Sequence, residues 1–585
     1  MKDGTFTADR LLALYDRVAE AEDAIPRLRR FVLDLAVRGK LVEQDPSDEP
    51  AAELLKRIAK EKARLVKAGE IRKPKPFDPI DEPPFAVPAN WAWSRMREVT
   101  ADRGQMIPNT RFTYIDVSAI NKEAGVIEAP TVLEPAEAPS RARKIVRKGD
   151  VIYSCVRPYL LNVAVVEDEI EPAPIASTAF AIINGLGLIL PRYIWIVLRS
   201  PFMVAAVEET QRGQAYPAIN DSDFAVLPFP LPPLAEQQRI VAKVDELMAL
   251  CDRLEGARAG REAVRDRLTA ATLTRLTAPE TDAETFPTHA RFALQTLPTL
   301  TTRPDQIKTL RQTILNLAVR GKLVKQDPSD EPAAATLRKI ADQKRQLIRT
   351  KKLKGNIPIT NSISYREAVD IPLGWSWASC DELFFVTKLA GFEYTKYFDL
   401  KDEGEVPVLR AQNVRPWVIA EHNLKYMPLA TSIALERSAI TKRSLLITFI
   451  GAGIGDVALI EPTRRWHLAP NVAKAELFEG CDDLFCLEYA VLFFNSPVGR
   501  DEVFKHVKTT AQPSLSMGTI RDMDVLVPPL AEQHRIVAKV DALMALCDQL
   551  EASLTTATTT RSRLLEALLH DALRGAPGDQ AEAAA

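Results

Sequence analysis

The most regular alternation of apolar and polar positions lies between Pro232 and Glu255, and it returns almost unchanged between Pro528 and Glu551. Apolar residues stand alternately four and three positions apart, which predicts a long helix with an a/d seam. The seam comprises Ile240, Val244, Leu247, Cys251 and Leu254 in the first copy, and Ile536, Val540, Leu543, Cys547 and Leu550 in the second. Because only about three heptads are regular, a solitary helix would be marginal. We therefore expect the two seams to pack against each other in a pair of antiparallel helices.

A second repeat predicts a helical hairpin. Apolar residues fall on one face of a helix that ends at Gly39, and a turn-rich connector leads to a second helix from about Ala51 to Ala68. The string Ala-Val-Arg-Gly-Lys-Leu-Val begins at Ala36 and again at Ala318, a displacement of 282 residues, whereas the long-helix motif is displaced by 296. The segment between hairpin and long helix is therefore longer in the second half.

The segments between hairpin and long helix are unlike in sequence. Short β-like runs, such as 151–154 and 444–450, alternate with turns and helical patches. The fold class we predict is α+β (mixed α/β), with two globular domains separated by long antiparallel paired helices in a pseudo-two-fold tandem repeat. The expected boundaries are a helical extension and first hairpin at 1–84, a first globule at 85–230, a central helix at 231–278, a linker and second hairpin at 279–370, a second globule at 371–527, a C-terminal helix at 528–574 and a disordered tail at 575–585.

Composition refines this picture only slightly. The chain has 585 residues, 46% of them hydrophobic and 26% charged, which suits several globular domains. The N-terminus lacks an apolar signal-peptide core and no window approaches 18 consecutive apolar residues, so we expect a cytoplasmic protein with no membrane partner. Six cysteines are too few for a disulfide framework, and we interpret them as reduced core thiols.

A net charge of -2 conceals two basic stretches, residues 56–75 and 338–354, at matching positions of the two hairpins. They are either solvated helix faces or surfaces that meet phosphates. Their duplication favours the second interpretation.

No enzyme signature is convincing. Gly451-Ala-Gly-Ile-Gly455 lacks the G-x-G-x-x-G spacing and no phosphate-binding Lys-Ser/Thr follows it, so we interpret it as a turn or a close backbone approach. Cys481 and Cys486 have no second Cys/His pair at useful spacing, so no metal site is predicted. Adenine methylation would need an Asn/Asp-Pro-Pro-Tyr/Phe loop, and the nearest string, Glu82-Pro-Pro-Phe85, has Glu in the decisive place. We predict a non-catalytic chain without a cofactor.

Polar and aromatic side chains in turns of both globules do suggest a function. Arginine suits guanine, glutamine and asparagine suit adenine, and lysine commonly meets phosphate. The candidate DNA-binding residues of the first globule are Arg103, Gln105, Asn109, Arg111, Tyr114, Arg157, Tyr159, Asn162, Arg212, Gln214 and Tyr216. Those of the second are Tyr394, Lys396, Arg410, Gln412, Asn413, Asn471, Lys474, Lys508 and Gln512. The pairs Trp91/Trp93 and Trp375/Trp377 favour core packing over base stacking.

The chain resembles the specificity (S) subunits of type I restriction-modification systems. The likeness is carried by Pro232-Pro-Leu-Ala-Glu-Gln-Gln-Arg-Ile-Val241 and its copy from Pro528, and by Leu-Ala-Val-Arg-Gly-Lys-Leu-Val at Leu35 and Leu317. The resemblance implies two target-recognition domains, each reading one half of a split double-stranded DNA sequence, with the helices as spacer. It also implies two methyltransferase (M) subunits and restriction/motor (R) subunits as partners, which would carry S-adenosylmethionine, ATP and magnesium.

Two alternatives stay open at this point. One is a structural adaptor whose tandem globules bind proteins rather than DNA, and the other is an enzyme with an unrecognised active site. The extension from residue 1 to about 23 departs from a minimal S subunit, and the sequence leaves its role open.

Overall fold

The chain divides into two compact units in a computed structural model that describes residues 6–19, 21–73, 76–212, 217–277, 285–353, 371–391, 393, 396, 399–451, 453–505, 507 and 514–574. Unit 1 comprises residues 1–262 together with 557–585, and unit 2 comprises residues 263–556. Each unit therefore contains part of both long helices. The predicted tail at 575–585 lies outside the described residues.

Unit 1 opens with three helices, α1 (Ala8–Val18), α2 (Ala24–Val37) and α3 (Ala51–Lys67). The predicted hairpin of α2 and α3 is confirmed, and its turn requires glycine. Gly39 has a φ of +67°, and a Cβ added there would lie 2.4 Å from the Pro88 ring. Gly321 repeats this arrangement in unit 2, with a φ of +66° and the same distance to Pro372.

The first globule is built on two main sheets. Its strands are β1 (Ala92–Arg95), β2 (Phe112–Ile115), β3 (Ile120–Asn121), β4 (Val126–Ile127), β5 (Thr131–Leu133), β6 (Ala142–Ile145), β7 (Asp150–Ser154), β8 (Val163–Val165), β9 (Pro174–Ser177), β10 (Phe180–Asn184) and β11 (Pro228–Leu231). Its helices are α4 (Met96–Val99), α5 (Pro191–Arg199), α6 (Pro201–Thr210) and α7 (Asp221–Ala225). The sheets run in the order β5-β2-β9-β6, with β2 and β9 parallel, and β10-β7-β8, which is antiparallel. Because β1 pairs antiparallel with β11, the globule begins and ends side by side.

The long helix α8 (Leu234–Thr277) follows, and α9 (Phe286–Leu300), α10 (Pro304–Val319) and α11 (Ala333–Arg349) come next. The strands of the second globule are β12 (Ser376–Ser379), β13 (Phe384–Lys388), β14 (Val406–Leu409), β15 (Val414–Arg415), β16 (Val418–Ile419), β17 (Lys425–Met427), β18 (Ala439–Ile440), β19 (Ser444–Thr448), β20 (Val457–Ile460), β21 (Trp466–Leu468), β22 (Val472–Leu477) and β23 (Asp524–Val527). Its helices are α12 (Cys380–Leu383), α13 (Leu429–Ala434), α14 (Leu487–Asn495), α15 (Pro497–Lys505) and α16 (Met517–Asp522), and α17 (Leu530–Arg574) ends the described chain.

The second globule repeats the topology of the first. The order β17-β14-β21-β18 again has one parallel pair, β14 with β21, and the order β13-β22-β19-β20 repeats β10-β7-β8 with one strand added. Strands β12 and β23 pair antiparallel and close the globule as β1 and β11 do. The mixed α/β class and the tandem repeat are therefore confirmed.

The prediction that the two helix seams face each other is wrong. Ile240, Val244, Leu247 and Cys251 are fully buried in one core with apolar residues of α2, such as Phe31. In unit 2, Ile536, Val540 and Cys547 lie in a separate core with residues of α10. The periodicity identified the buried stripe correctly, but the hairpin helix of the same unit covers it.

Both ends of the chain contribute to unit 1. Phe6, Leu11 and Tyr15 belong to its main core, so the N-terminal extension is an integral part of the unit. Leu565 of α17 is fully buried with Ala21 and Ala24. Unit 1 therefore requires residues that are more than 500 positions apart in sequence.

Among the described residues, the helices are all too short or too polar to pass through a lipid bilayer. The six cysteines are buried free thiols, which confirms the interpretation as core residues.

Replacing Leu565 by alanine is expected to destabilise unit 1 by about 2–4 kcal/mol, because it empties a fully buried site. Urea unfolding followed by hydrogen exchange of peptides from each unit measures the change. Leu564→Ala is the matched control, because its side chain is 43% exposed and we expect little effect. Equal destabilisation by the two variants would contradict the packing of α17 against the N-terminal helices.

Candidate junction and nucleic-acid interface

The start of α8 carries two buried polar residues that join unit 1 together. Glu236 and Gln237 are both 0% exposed. Oε2 of Glu236 accepts a 2.9 Å hydrogen bond from Nε1 of Trp91, which precedes β1. Oε1 accepts one of 2.6 Å from the amide of Gln44 in the hairpin connector. One carboxylate therefore holds the hairpin, the first strand of the globule and the long helix.

Gln237 extends this junction to α5. Its Oε1 accepts a 3.0 Å hydrogen bond from the backbone N–H of Leu190, immediately before α5, and its Nε2 donates to the Pro232 carbonyl at 3.1 Å. Arg239, one turn into α8, forms a 2.6 Å ion pair with Asp48 of the connector. Because Pro232 is buried, the amide of Gln237 supplies its carbonyl with a hydrogen-bond donor in place of water.

Unit 2 builds the same junction from the second copy. Trp375 donates to Glu532 at 3.0 Å, and Gln533 accepts from the Cys486 N–H at 2.9 Å while donating to the Pro528 carbonyl at 3.0 Å. The ion pair recurs between Arg535 and Asp330 at 2.6 Å. The identity of the repeated motif is therefore explained by buried hydrogen bonds more than by the seam.

The two junctions differ in one hydrogen bond. Gln326, the counterpart of Gln44, donates to the Gly321 carbonyl at 3.5 Å, and within the described residues Oε1 of Glu532 is buried without a hydrogen-bond partner. Burial raises the pKa of Glu236, against the hydrogen bonds from Trp91 and Gln44. Burial also raises the pKa of Glu532, opposed by Trp375 alone among hydrogen-bonding side chains.

The basic hairpin helices are mainly solvated. On α3, Lys56, Arg57 and Lys60 are exposed. Lys62 is the exception, because its Nζ donates to the Arg97 carbonyl at 2.5 Å and burial lowers its pKa to about 8. Lys344 of α11 makes the equivalent bond to the Asp381 carbonyl at 2.6 Å. Whether the exposed members meet phosphate stays a prediction.

The expected core role of the tryptophans is confirmed. Trp91 and Trp375 are buried against the junction carboxylates. Trp93 packs edge-on against Phe85 and Phe202, with ring centroids 4.9 and 5.6 Å away.

Four candidate DNA-binding residues are structural instead. Tyr114 lies in the core of the β2 sheet, and Asn162 is buried beside β8. Asn413 is fully buried because its amide donates to two carbonyls of its own turn, those of Ala420 and His422. Lys474 is buried in an ion pair with Glu476 at 2.7 Å. These residues cannot reach DNA without unfolding the domain that presents them.

The other candidates divide by exposure. Arg103 is held by a 2.6 Å ion pair to the buried Asp150, and Arg410 is half-buried against the Asn423 carbonyl. Arg157 and Asn471 are half-exposed, whereas Gln105, Asn109, Arg111, Tyr159, Arg212, Lys396 and Gln412 are exposed. Gln214, Tyr216, Tyr394, Lys508 and Gln512 lie outside the described residues.

The three candidate loops of the first globule are joined through its strands. Main-chain hydrogen bonds of 2.8–2.9 Å run from Met106 to Arg143, from Thr178 to Arg141, from Cys155 to Ala179, from Arg157 to Pro217 and from Arg212 to Ala218. Loops that are far apart in sequence are therefore brought together in the fold, and Gln105, Tyr159 and Arg212 of these loops are exposed.

Sequence reasoning missed a basic strand beside these loops. Arg141, Arg147 and Lys148 are exposed and Arg143 is half-exposed on and beside β6. The signal was present as five basic residues between positions 141 and 148. It was overlooked because the run reads as a strand rather than as a loop.

The glycine-rich segment connects β19 to β20 in the second globule, as the loop between β7 and β8 does in the first. Gly451 and Gly455 have φ values of +105° and +81°, and a Cβ added to Gly455 would lie 2.9 Å from Val503. The interpretation as a turn with a close backbone approach is confirmed. The described residues hold no group of three or more potential metal-ligating side chains.

The chain is similar to several known proteins. Residues 175–259 and 372–557 match the family model described as the type I restriction modification DNA specificity domain. The type I restriction enzyme EcoEI specificity subunit of Escherichia coli is 31% identical over 575 residues, which cover 94% of each chain. The EcoAI specificity subunit of the same species is 29% identical and also covers 94% of each chain. A crystal structure of the HsdS subunit from Thermoanaerobacter tengcongensis has 23% identity and a TM-score of 0.45, over 85% of this chain and all of that one.

Replacing Glu236 by alanine is expected to destabilise unit 1 by about 2–3 kcal/mol, because it leaves the buried Trp91 indole N–H without its acceptor. Chemical unfolding with tryptophan fluorescence measures the loss. Glu246→Ala is the control, since this glutamate is exposed and the second copy already has Ala542 there. A Glu236→Ala protein as stable as the control would refute the junction.

Proposed function

The chain belongs to the specificity subunits of type I restriction enzymes, and from that membership we propose a function for each of its parts. Residues 85–230 and 371–527 each read one half of a bipartite target in double-stranded DNA. Helices α8 and α17 set the spacing of the half-sites and dock two copies of a methyltransferase subunit. The observation that carries the proposal is that an exposed row of alanines is identical on the two helices, whereas the exposed loops of the two globules are unlike.

Helix docking is supported by a row of exposed alanines that packing within the units does not require. Ala235, Ala242 and Ala249 are exposed at seven-residue intervals on α8. Their counterparts on α17, Ala531, Ala538 and Ala545, are identical and also exposed. Small residues allow another helix to approach closely, and identical surfaces suit two copies of one partner. We assign methyl transfer, ATP hydrolysis and their cofactors to the partner methyltransferase and restriction subunits.

DNA binding is supported by the basic surface around β6. Arg141, Arg143, Arg147 and Lys148 give it a positive charge that the net charge of -2 conceals. Tyr159, which is 48% exposed, and Gln105 add groups that read or stack on bases. Basic side chains would fix the register on the phosphates, and the loop residues would discriminate sequence.

A bulky charge in the alanine row is expected to remove one partner at a time. Ala242→Arg should reduce the methyltransferase copies bound from two to one, and Ala242→Arg with Ala538→Arg should abolish binding, because an arginine cannot fit where a helix approaches. Native mass spectrometry of the co-expressed complex counts the copies. Glu246→Arg, at an exposed position that differs between the copies, should leave two. Two partners on the double variant would contradict this docking surface.

Loop substitutions are expected to affect one half-site each. Tyr159→Ala with Arg212→Ala should relax base preference in one half of the target, and Gln412→Ala with Lys396→Ala in the other, each by about 10- to 100-fold. Arg147→Ala should instead weaken binding to all sequences and lower the salt dependence by about one ion. Binding of the assembled methyltransferase to duplexes with single-base changes measures both effects. Relaxation of the same half-site by both pairs would contradict the division between domains.

A further inference from the structure

Trp417 differs in exposure from the other tryptophans of the chain. The structure describes all seven, and the other six are buried or half-buried. Trp417 is 42% exposed and stands in the turn between β15 and β16, which pair as a short hairpin in the second globule. An indole stabilises a fold through the area that it buries. Packing within the globule therefore uses only part of this side chain.

The backbone of Trp417 is left-handed, with a φ of +74°. A bulky residue is rarely found in this conformation, which favours glycine. The equivalent hairpin of the first globule, β3 with β4, has Gly125 immediately before its second strand, with a φ of +72°. Both hairpins follow a short 3-10 helix, Val117–Ala119 in the first globule and Ala411–Asn413 in the second. The second globule thus has tryptophan at a strained turn position, and strain of this kind is concentrated at binding sites.

The chain around this turn is basic. Residues 406–420 include Arg410 and Arg415 and contain no acidic residue. Arg415, two positions before Trp417, is exposed, and so is Gln412 in the preceding 3-10 helix. An aromatic ring stacks on bases, a guanidinium binds phosphate and an amide binds base edges. The hairpin therefore presents the groups that bind a nucleic acid.

Hydrogen bonds fix the hairpin beside a candidate DNA-binding loop. The N–H of Trp417 donates to the Val457 carbonyl at 3.1 Å. The buried amide of Asn413 donates to two main-chain carbonyls at 2.9 and 3.0 Å. Val457 begins β20, just after the glycine-rich segment 451–455, which corresponds to the loop 155–162 of the first globule. The turn of Trp417 is thus held in place before any partner binds.

A second exposed aromatic ring borders the same loop. Phe504 of α15 is 45% exposed, and a Cβ added to Gly455 would lie 3.9 Å from its ring. The guanidinium of Arg500 lies 5.2 Å from the centre of this ring and 3.7 Å from the carboxylate of Asp456. Aromatic and guanidinium groups therefore lie close to residues 455–457, where the hairpin is bonded to β20.

We propose that Trp417 inserts its indole against a base step of the half-site that the second globule binds. The proposal rests on the proposed function, in which residues 371–527 bind double-stranded DNA. Apolar side chains can partly unstack a base step and bend the duplex, and nearby cations such as Arg415 hold the phosphates. Base steps differ in how easily they open, so Trp417 selects sequence without a hydrogen bond to a base.

The test compares Trp417→Gly with Trp417→Phe in the assembled methyltransferase. Trp417→Gly should lower the affinity for the target duplex about tenfold or more, because stacking is lost. It should remain as stable as wild type in thermal unfolding, because glycine suits the left-handed backbone. Trp417→Phe keeps an aromatic ring and should stay within about threefold of wild type. Ile433→Ala is the control, since Ile433 is 56% exposed elsewhere in the same globule, and it should leave the affinity unchanged.

Two further measurements identify the stacked base. Trp417→Gly should leave the salt dependence of binding unchanged, whereas Arg415→Ala should lower it by about one ion. Duplexes that each lack one base are then compared across both half-sites. At one position, in the half-site that Gln412→Ala with Lys396→Ala relaxes, the loss caused by Trp417→Gly should shrink to less than about twofold, because no base remains to stack on.

Several outcomes would overturn the proposal. Full affinity of the Trp417→Gly complex would do so while leaving the proposed function intact, and so would an equal loss on every duplex that lacks a base. Loss of a methyltransferase copy from this variant in native mass spectrometry, with duplex affinity unchanged, would show that the indole meets protein instead. A wild-type complex without any base preference would overturn the proposed function and this inference with it.

Discussion

The buried Glu-Gln pair at the start of each long helix is the interaction on which the rest of the structure depends. Glu236 and Gln237 form hydrogen bonds to four other residues of unit 1, and Glu532 and Gln533 form three of the four equivalent bonds in unit 2. Removing a buried acceptor leaves its donors unsatisfied, which costs more than the bond itself contributes. The pair therefore fixes the direction in which a long helix leaves its globule. A spacer can act as a ruler only if its ends are held in this way.

The junction also explains why the two halves are alike in some places and unlike in others. Strands β1 and β11, like β12 and β23, bring the ends of each globule to the same point, beside the Trp and the Pro-Pro of the junction. Everything between those strands can change without altering the junction. The second globule accordingly has one more strand, β13, in one sheet, and the chain still leaves this globule through the same repeated motif. Unlike globules and like junctions are thus compatible in one chain.

Exposure separates the remaining candidate DNA-binding residues from those that support the fold. In the first globule, main-chain hydrogen bonds join the loops around β6, and the buried Asp150 holds Arg103 in place. Some candidates chosen by residue type are buried and form bonds within the fold. Asn413 forms hydrogen bonds in its own turn, and Lys474 forms an ion pair. Arginine, asparagine and lysine serve both purposes equally well, so residue type does not distinguish the two roles.

The sequence by itself determined the family, the tandem repeat, the hairpins with their glycine turns and the mixed α/β class, because repetition and periodicity are local properties of the chain. It also located the buried stripe of each long helix. Only the tertiary structure decided what covers that stripe, since α2 packs on α8 and α10 packs on α17 from far away in sequence. It likewise decided that Leu565 completes a core near residue 21, and that Glu236 is a buried hydrogen-bond acceptor. Burial depends on residues that are distant in sequence, and a local pattern does not indicate which of them will pack against it.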